Sequence, residues 1–198
     1  MDEHIITFRK QLESRLDPMR YEHSLSVSFT CVALAMRYGY DINKAEVAGL
    51  LHDCAKRFGD TVLVAKCKKH GIALTEDQLQ APAVIHAIYG AWMAEHKFGI
   101  QDEEILSAIR CHTTGKPAMG ILDKILYVAD FIEPRRDKAA NLPEMRYLAF
   151  QDLDQTVCAL LTSTLAYLEK KGGKVDGMTR QAFEYYVREA RAQCAKEA

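Results

Sequence analysis

Apolar residues recur at helical spacing along nearly the whole chain, and no segment shows the sustained alternation that a half-buried strand needs. Ile5, Phe8, Leu12 and Leu16 form a first helical stripe over residues 1–16. Asp17-Pro18 closes it and opens a second helix, because proline is tolerated in a first turn; that helix runs to Tyr38 and stops at Gly39. Asp41 or Asn43 caps a third helix, which contains Leu50-Leu51-His52-Asp53 and is expected to end near Phe58-Gly59. A short fourth spans Asp60 to His70-Gly71 and absorbs Val62-Leu63-Val64, the one weak strand candidate. Thr75 with Gln78 has the form of a capping box. Beyond Pro82 a longer helix carries His86 and stops at Phe98-Gly99, and the next runs from Asp102 to His112. The loop Thr113-Thr114-Gly115-Lys116-Pro117 leads to a helix that carries Asp130 and ends near Pro134. Two further helices, about Asp152 to Lys171 and Thr179 to Ala195, flank a glycine-rich loop. The expected fold is all-α, a single-domain helical bundle.

Composition narrows the classes of partner. A chain of 198 residues with 48% hydrophobic content fits one domain with a sizeable core. A formal net charge of -1 gives no whole-chain electrostatic case for nucleic acid or a membrane surface, so an anionic ligand must meet local cations. No apolar run approaches the length of a membrane span. Cys31, Cys54, Cys67, Cys111, Cys158 and Cys194 show neither CxxC nor zinc-finger spacing, and most lie in apolar stretches. Reduced, buried thiols in a cytoplasmic protein are expected. Met1-Asp2-Glu3-His4 lacks the character of a signal peptide.

The chemistry concentrates in polar residues set among apolar ones. His52-Asp53 follows Leu50-Leu51, His86 follows Val84-Ile85, and His112 closes the segment holding Ile105, Leu106 and Ile109. His23 is bracketed by Tyr21 and Leu25, and Asp130 lies within Leu126-Tyr127-Val128-Ala129-Asp130-Phe131-Ile132. One histidine on an apolar helix face is more often a hydrogen-bonded core residue than a ligand, and Asp130 alone could pair with Arg135 or Arg136. Four histidines and two aspartates together would leave many buried polar groups needing satisfaction, and a divalent metal compensates them. His4, His70 and His96 read instead as terminal or helix-end residues. His52 and Asp53 are neighbours about 100° apart on an α-helix. They can share one ion only at a helix end or a local distortion.

The order His23, His52-Asp53, Asp130 resembles the H…HD…D pattern of the HD-domain metal-dependent phosphohydrolases. His86 and His112 match the extra histidines of those members that hold a second metal. The local wording Arg20-Tyr21-Glu22-His23-Ser24-Leu25-Ser26-Val27, Leu50-Leu51-His52-Asp53-Cys54-Ala55-Lys56, His112-Thr113-Thr114-Gly115 and Ala129-Asp130-Phe131-Ile132-Glu133-Pro134-Arg135-Arg136 is similar to the YqeK family of symmetrical diadenosine tetraphosphate hydrolases. The resemblance implies an HD-type core at about 18–136, with C-terminal helices 143–198 completing the bundle and a nucleotide pocket. It implies iron; the nitrogen and carboxylate donor set also admits manganese, cobalt, nickel or zinc. A first ion would take His23, His52, Asp53 and Asp130, and a second would take His86 and His112 with Asp53 bridging.

A metal centre lowers the pKa of bound water. The implied reaction is in-line attack by that hydroxide on the polyphosphate bridge, giving two ADP from diadenosine tetraphosphate. Asp53 and Lys56 are the expected catalytic pair, Lys56 lying on roughly the same helix face as His52 and Asp53. Lys56, His86, His112, Thr113 and Arg136 are the expected substrate contacts, with Arg136 suited to bidentate phosphate binding. Lys170-Lys171-Gly172-Gly173-Lys174 reads equally as a phosphate-attracting mouth or as cations at a helix C-terminus. The partner is then a dinucleoside polyphosphate or its nucleoside diphosphate product, without nucleic acid or membrane. Exposed apolar helix faces could support a homodimer. Three alternatives stay open: an HD phosphohydrolase for another nucleotide, a non-catalytic nucleotide-binding regulator, and a plain helical scaffold with core histidines.

Overall fold

A computed structural model describes residues 3–139 and 141–197, apart from the side chains of residues 3, 193, 194, 196 and 197. Met1, Asp2 and the Cys194 side chain lie outside the described residues. The described backbone is helical and without strands. It comprises α1 (Glu3–Glu13), α2 (Pro18–Tyr38), α3 (Ile42–Leu51), α4 (Asp60–Lys69) and α5 (Glu76–Gln80). A 3-10 turn (Pro82–Val84) precedes α6 (Ile85–Phe98), α7 (Glu103–Cys111), α8 (Ile121–Ile132), α9 (Leu142–Ala149), α10 (Leu153–Lys170) and α11 (Gly177–Glu197). No helix among the described residues is long and apolar enough to cross a membrane.

The punctuation follows local chemistry. Asp17 caps α2 by accepting the Arg20 N–H, with Pro18 in the first turn, and Gly39 ends that helix at φ 66°, a left-handed conformation costly to other residues. Asp41 caps α3, Asp102 caps α7, Asp152 caps α10, and Thr75 with Gln78 forms the reciprocal box at α5. Val62-Leu63-Val64 lies within α4.

Two expectations need correction. The third helix ends at Leu51, not near Phe58. From there Cys54 N–H donates to Leu51, Lys56 to Asp53 and Phe58 to Ala55. These bonds reach back three residues rather than four, a tightening common at helix C-termini that apolar spacing does not reveal over so short a run. The segment before Asp152 holds a further helix, α9, with Pro143 in its first turn.

Packing places five elements around one point. α2 lies against α3 and α8; α7 packs on α3, α6 and α8; α10 packs on α8, α9 and α11. The α2–α3 crossing is close because residue 49 is glycine: a Cβ there would stand 2.6 Å from the Ser28 Cα and 3.0 Å from the Cys31 Sγ. Ser28 Oγ donates to the Glu46 carbonyl across the same crossing. Leu34, Leu50, Leu51, Ile109, Ile125 and Leu126 fill the space between these helices and are fully buried. Each contributes about 1.5–3 kcal/mol by removal from water.

Candidate metal centre

The bundle gathers His23 from the second turn of α2, His52 and Asp53 from just past the end of α3, His86 from the first turn of α6, His112 from the end of α7 and Asp130 from α8. Asp53 is the hub. Its Oδ1 lies 3.2 Å from His86 Nε2 and 3.6 Å from His112 Nε2, and its Oδ2 lies 3.7 Å from His52 Nε2. Asp130 Oδ1 lies 3.1 Å from His23 Nε2 and 4.0 Å from His52 Nε2. His52 is the cap residue of α3, so Asp53 already stands beyond the regular helix, and the two neighbours converge.

Three of the rings are oriented by their own chain. His52 Nδ1 lies 2.7 Å from the Gly49 carbonyl, His86 Nδ1 2.7 Å from Ala83 and His112 Nδ1 2.8 Å from Ile109. A carbonyl only accepts, so each ring carries a proton on Nδ1 and points its Nε2 inward. Burial drives His52 down to about 4 and lowers His86 below the ordinary histidine range, so both are neutral at pH 7. His52 Nε2 is buried and has no hydrogen-bond partner. Burial would raise the Asp53 pKa, but the electrostatic influence of His52, His112 and His86 around it outweighs burial and holds it well below the usual carboxylate range. For Asp130, burial is likewise outweighed by the His23 hydrogen bond, and its pKa is lowered.

The inward nitrogens of His52, His86 and His112 stand beside the ionised carboxylates of Asp53 and Asp130, a nitrogen and oxygen ligand set in which the buried His52 Nε2 has no hydrogen bond of its own. A divalent cation fits such a set. Donor atoms mutually within reach of one ion form two groups among the described residues, His23–His52–Asp130 and His52–Asp53–His112, joined through His52. His86 belongs to neither group; its ring lies beside the Lys56 ammonium, with Nζ 3.1 Å from Nδ1.

The cluster opens into a cleft of about 560 Å³. Lys56, Thr113 and Arg136 line it, as do Arg20 and Lys138, two cations the sequence reading passed over. Arg20 Nη1 donates to Asp53 Oδ2 at 3.1 Å. Its position three residues before His23, one turn back on the same helix face, was the available signal. Thr113 Oγ1 lies 3.4 Å from His86 Nε2 and 3.3 Å from His112 Nε2. Arg136 donates to the Asp130 carbonyl at 2.8 Å and to Asp130 Oδ1 at 3.2 Å, whereas Arg135 turns outward to Glu22. Glu133, also unforeseen, is buried against His23, with Oε1 3.3 Å from Nδ1. Lys170, Lys171 and Lys174 do not line the cleft. A larger groove of about 1000 Å³ between α10 and α11, lined by Tyr185 and Tyr186, holds none of the candidate residues.

Known proteins are similar to this chain over most of its length. A family model described as HD domain matches residues 20–135. The chain is 38% identical over 179 residues to the Bacillus subtilis (strain 168) protein named symmetrical bis(5'-nucleosyl)-tetraphosphatase, covering 89% of this chain and 94% of that one. It is 33% identical to the Staphylococcus aureus (strain NCTC 8325 / PS 47) protein of the same name, covering 90% and 92%. Among solved structures, a predicted HD superfamily hydrolase described as involved in NAD metabolism, from Clostridium acetobutylicum, superposes with a TM-score of 0.90. That chain is 35% identical, with coverage of 93% of this chain and 97% of that one.

Proposed function

The chain belongs to the HD-domain family, within its group of symmetrical bis(5'-nucleosyl)-tetraphosphatases, and on that premise we propose that it hydrolyses diadenosine tetraphosphate to two ADP. The observation that carries this reading is the convergence of three inward Nε2 atoms on Asp53, at the floor of a cleft lined by four basic side chains. The cleft volume of about 560 Å³ lies in the range of small-molecule sites.

We assign His23, His52, Asp53 and Asp130 to one divalent ion. When bound, that ion supplies positive charge for a phosphate oxygen and a water acidic enough to serve as a nucleophile near pH 7. Iron is the ion the family resemblance implies, and manganese, cobalt, nickel and zinc suit the same donors. A second ion at His86 would lie against the Lys56 ammonium, so His86 is assigned to the substrate instead, while His112 stays within reach of an ion at His52 and Asp53.

The chain's own groups account for the rest. Lys56, Arg136 and Arg20 neutralise the polyphosphate, which the near-zero net charge of the whole protein does not attract. Neutral His86 can receive a proton at Nε2 while Ala83 keeps its Nδ1 proton in place. The Thr113 hydroxyl, within reach of both inner histidines, can donate to a phosphate oxygen. Lys56 Nζ, the cation nearest His86, is placed to neutralise the departing ADP.

Chromatography of the products tests the reading. ADP as sole product from diadenosine tetraphosphate is expected. AMP with ATP would contradict symmetrical cleavage, and tight binding without turnover would point to a nucleotide-binding regulator.

A further inference from the structure

His23 is held differently from the other three histidines. His52, His86 and His112 each place Nδ1 on a carbonyl of their own segment. The Nδ1 of His23 instead reaches another part of the chain, 3.3 Å from Glu133 Oε1, while its Nε2 lies 3.1 Å from Asp130 Oδ1. Two carboxylates three residues apart thus face the two nitrogens of one ring.

Glu133 is only 3% exposed, which is rare for a glutamate without a partner to fix it. Its second oxygen, Oε2, accepts the Arg135 N–H at 2.8 Å. Its backbone is held from α9 by Arg146, whose Nε donates to the Ile132 carbonyl at 2.9 Å and whose Nη2 donates to the Glu133 and Arg136 carbonyls at 2.8 Å each. Arg136 N–H donates back to the Glu133 carbonyl. The segment 132–136 is therefore fixed by bonds that place the Glu133 side chain beneath His23.

We infer that Glu133 is a positioning residue for the metal centre: it accepts the Nδ1 proton of His23, fixes that ring's tautomer and orientation so that Nε2 faces Asp130, and increases its strength as a ligand, with Arg146 holding the segment that carries it. The inference rests on the metal-dependent reading above. An outer carboxylate behind a ligating histidine is worth about 10–100-fold in metal affinity. If Glu133 only ended α8 through its bond to Arg135, its loss would weaken folding and leave affinity alone.

The test uses the full-length protein stripped by chelator, with Mn²⁺ titrated against a competing chelator and the melting temperature of the stripped protein recorded beside it. Glu133→Gln keeps the size and removes the charge; about 10–100-fold weaker Mn²⁺ binding is expected, with the stripped protein melting as wild type does. Glu133→Asp keeps the charge but withdraws it from Nδ1, and it serves if the first variant does not fold; weaker binding is again expected. Wild-type affinity in a folded Glu133→Gln or Glu133→Asp protein overturns the inference. His52→Ala separates the two levels. If wild type binds Mn²⁺ and His52→Ala does not, unchanged affinity in the Glu133 variants sinks this inference alone. Absence of Mn²⁺ binding by wild type would sink the metal-dependent reading itself.

Discussion

The Lys56 ammonium lies against the ring of His86, 3.1 Å from Nδ1 and 3.2 Å from Nε2. Lys56 follows the turn that ends α3, and burial lowers its pKa below the usual lysine range. A charged donor to phosphate is worth about 1.5–3 kcal/mol. Lys56→Met should therefore lower kcat/KM for diadenosine tetraphosphate by about 10–100-fold. Metal content should stay at the wild-type level, which elemental analysis checks.

Adjacent arginines should separate cleanly. Arg136 lines the cleft and donates to Asp130, while Arg135 is 56% exposed and pairs with Glu22. Arg136→Ala should raise KM by about tenfold or more, the scale of one lost charged contact. Arg135→Ala, losing an exposed ion pair of little worth, should keep kinetics near wild type. Steady-state assays of the two variants side by side decide this.

Gly49 sets the distance between the helices that carry His23 and His52. Its added Cβ would stand 2.6 Å from backbone at Ser28, which cannot rotate away. Gly49→Ala should cost about 1–3 kcal/mol of stability, the usual range for overpacking. Urea denaturation measures it, and unchanged stability would show that α2 and α3 can part without loss.

What the sequence disclosed was set by which interactions are local. Helix starts were legible because Asp17, Asp41, Asp102 and Thr75 bond N–H groups two or three residues ahead. The six candidate ligands were legible because ionisable groups stood in apolar runs. Glu133 was not, since its burial depends on α2 and on Arg146 from α9. Helix α9 was missed because eight residues opened by a proline give too few turns for a periodicity. The end of α3 at Leu51 was missed for a similar reason. Three-residue and four-residue bonding leave almost the same apolar pattern over Asp53 to Phe58.

Acid should weaken the N-terminus of α7, the helix that delivers His112. The Asp102 carboxylate pKa is lowered by its bond to Lys44, against a smaller opposing effect of burial, and further by the Glu104 and Ile105 N–H groups. A lowered carboxylate pKa contributes stability above its unfolded value, about 3.9, and loses it as pH falls through the folded value. Asp102→Ala should cost about 1 kcal/mol at pH 7, a typical capping loss. The gap from wild type should narrow as pH falls below that range, which melting curves at several pH values will show.

The central claim is that His52 and Asp53 hold the ion on which hydrolysis depends. Its most direct test measures bound metal and turnover of diadenosine tetraphosphate together in wild type, His52→Ala and Asp53→Asn. One ion per wild-type chain is expected, with metal lost or greatly weakened in both variants and ADP formation falling in parallel by a factor of 100 or more, about 2.7 kcal/mol in barrier. Full activity in both variants, or a wild-type enzyme that turns over equally well after complete metal removal, would contradict the account.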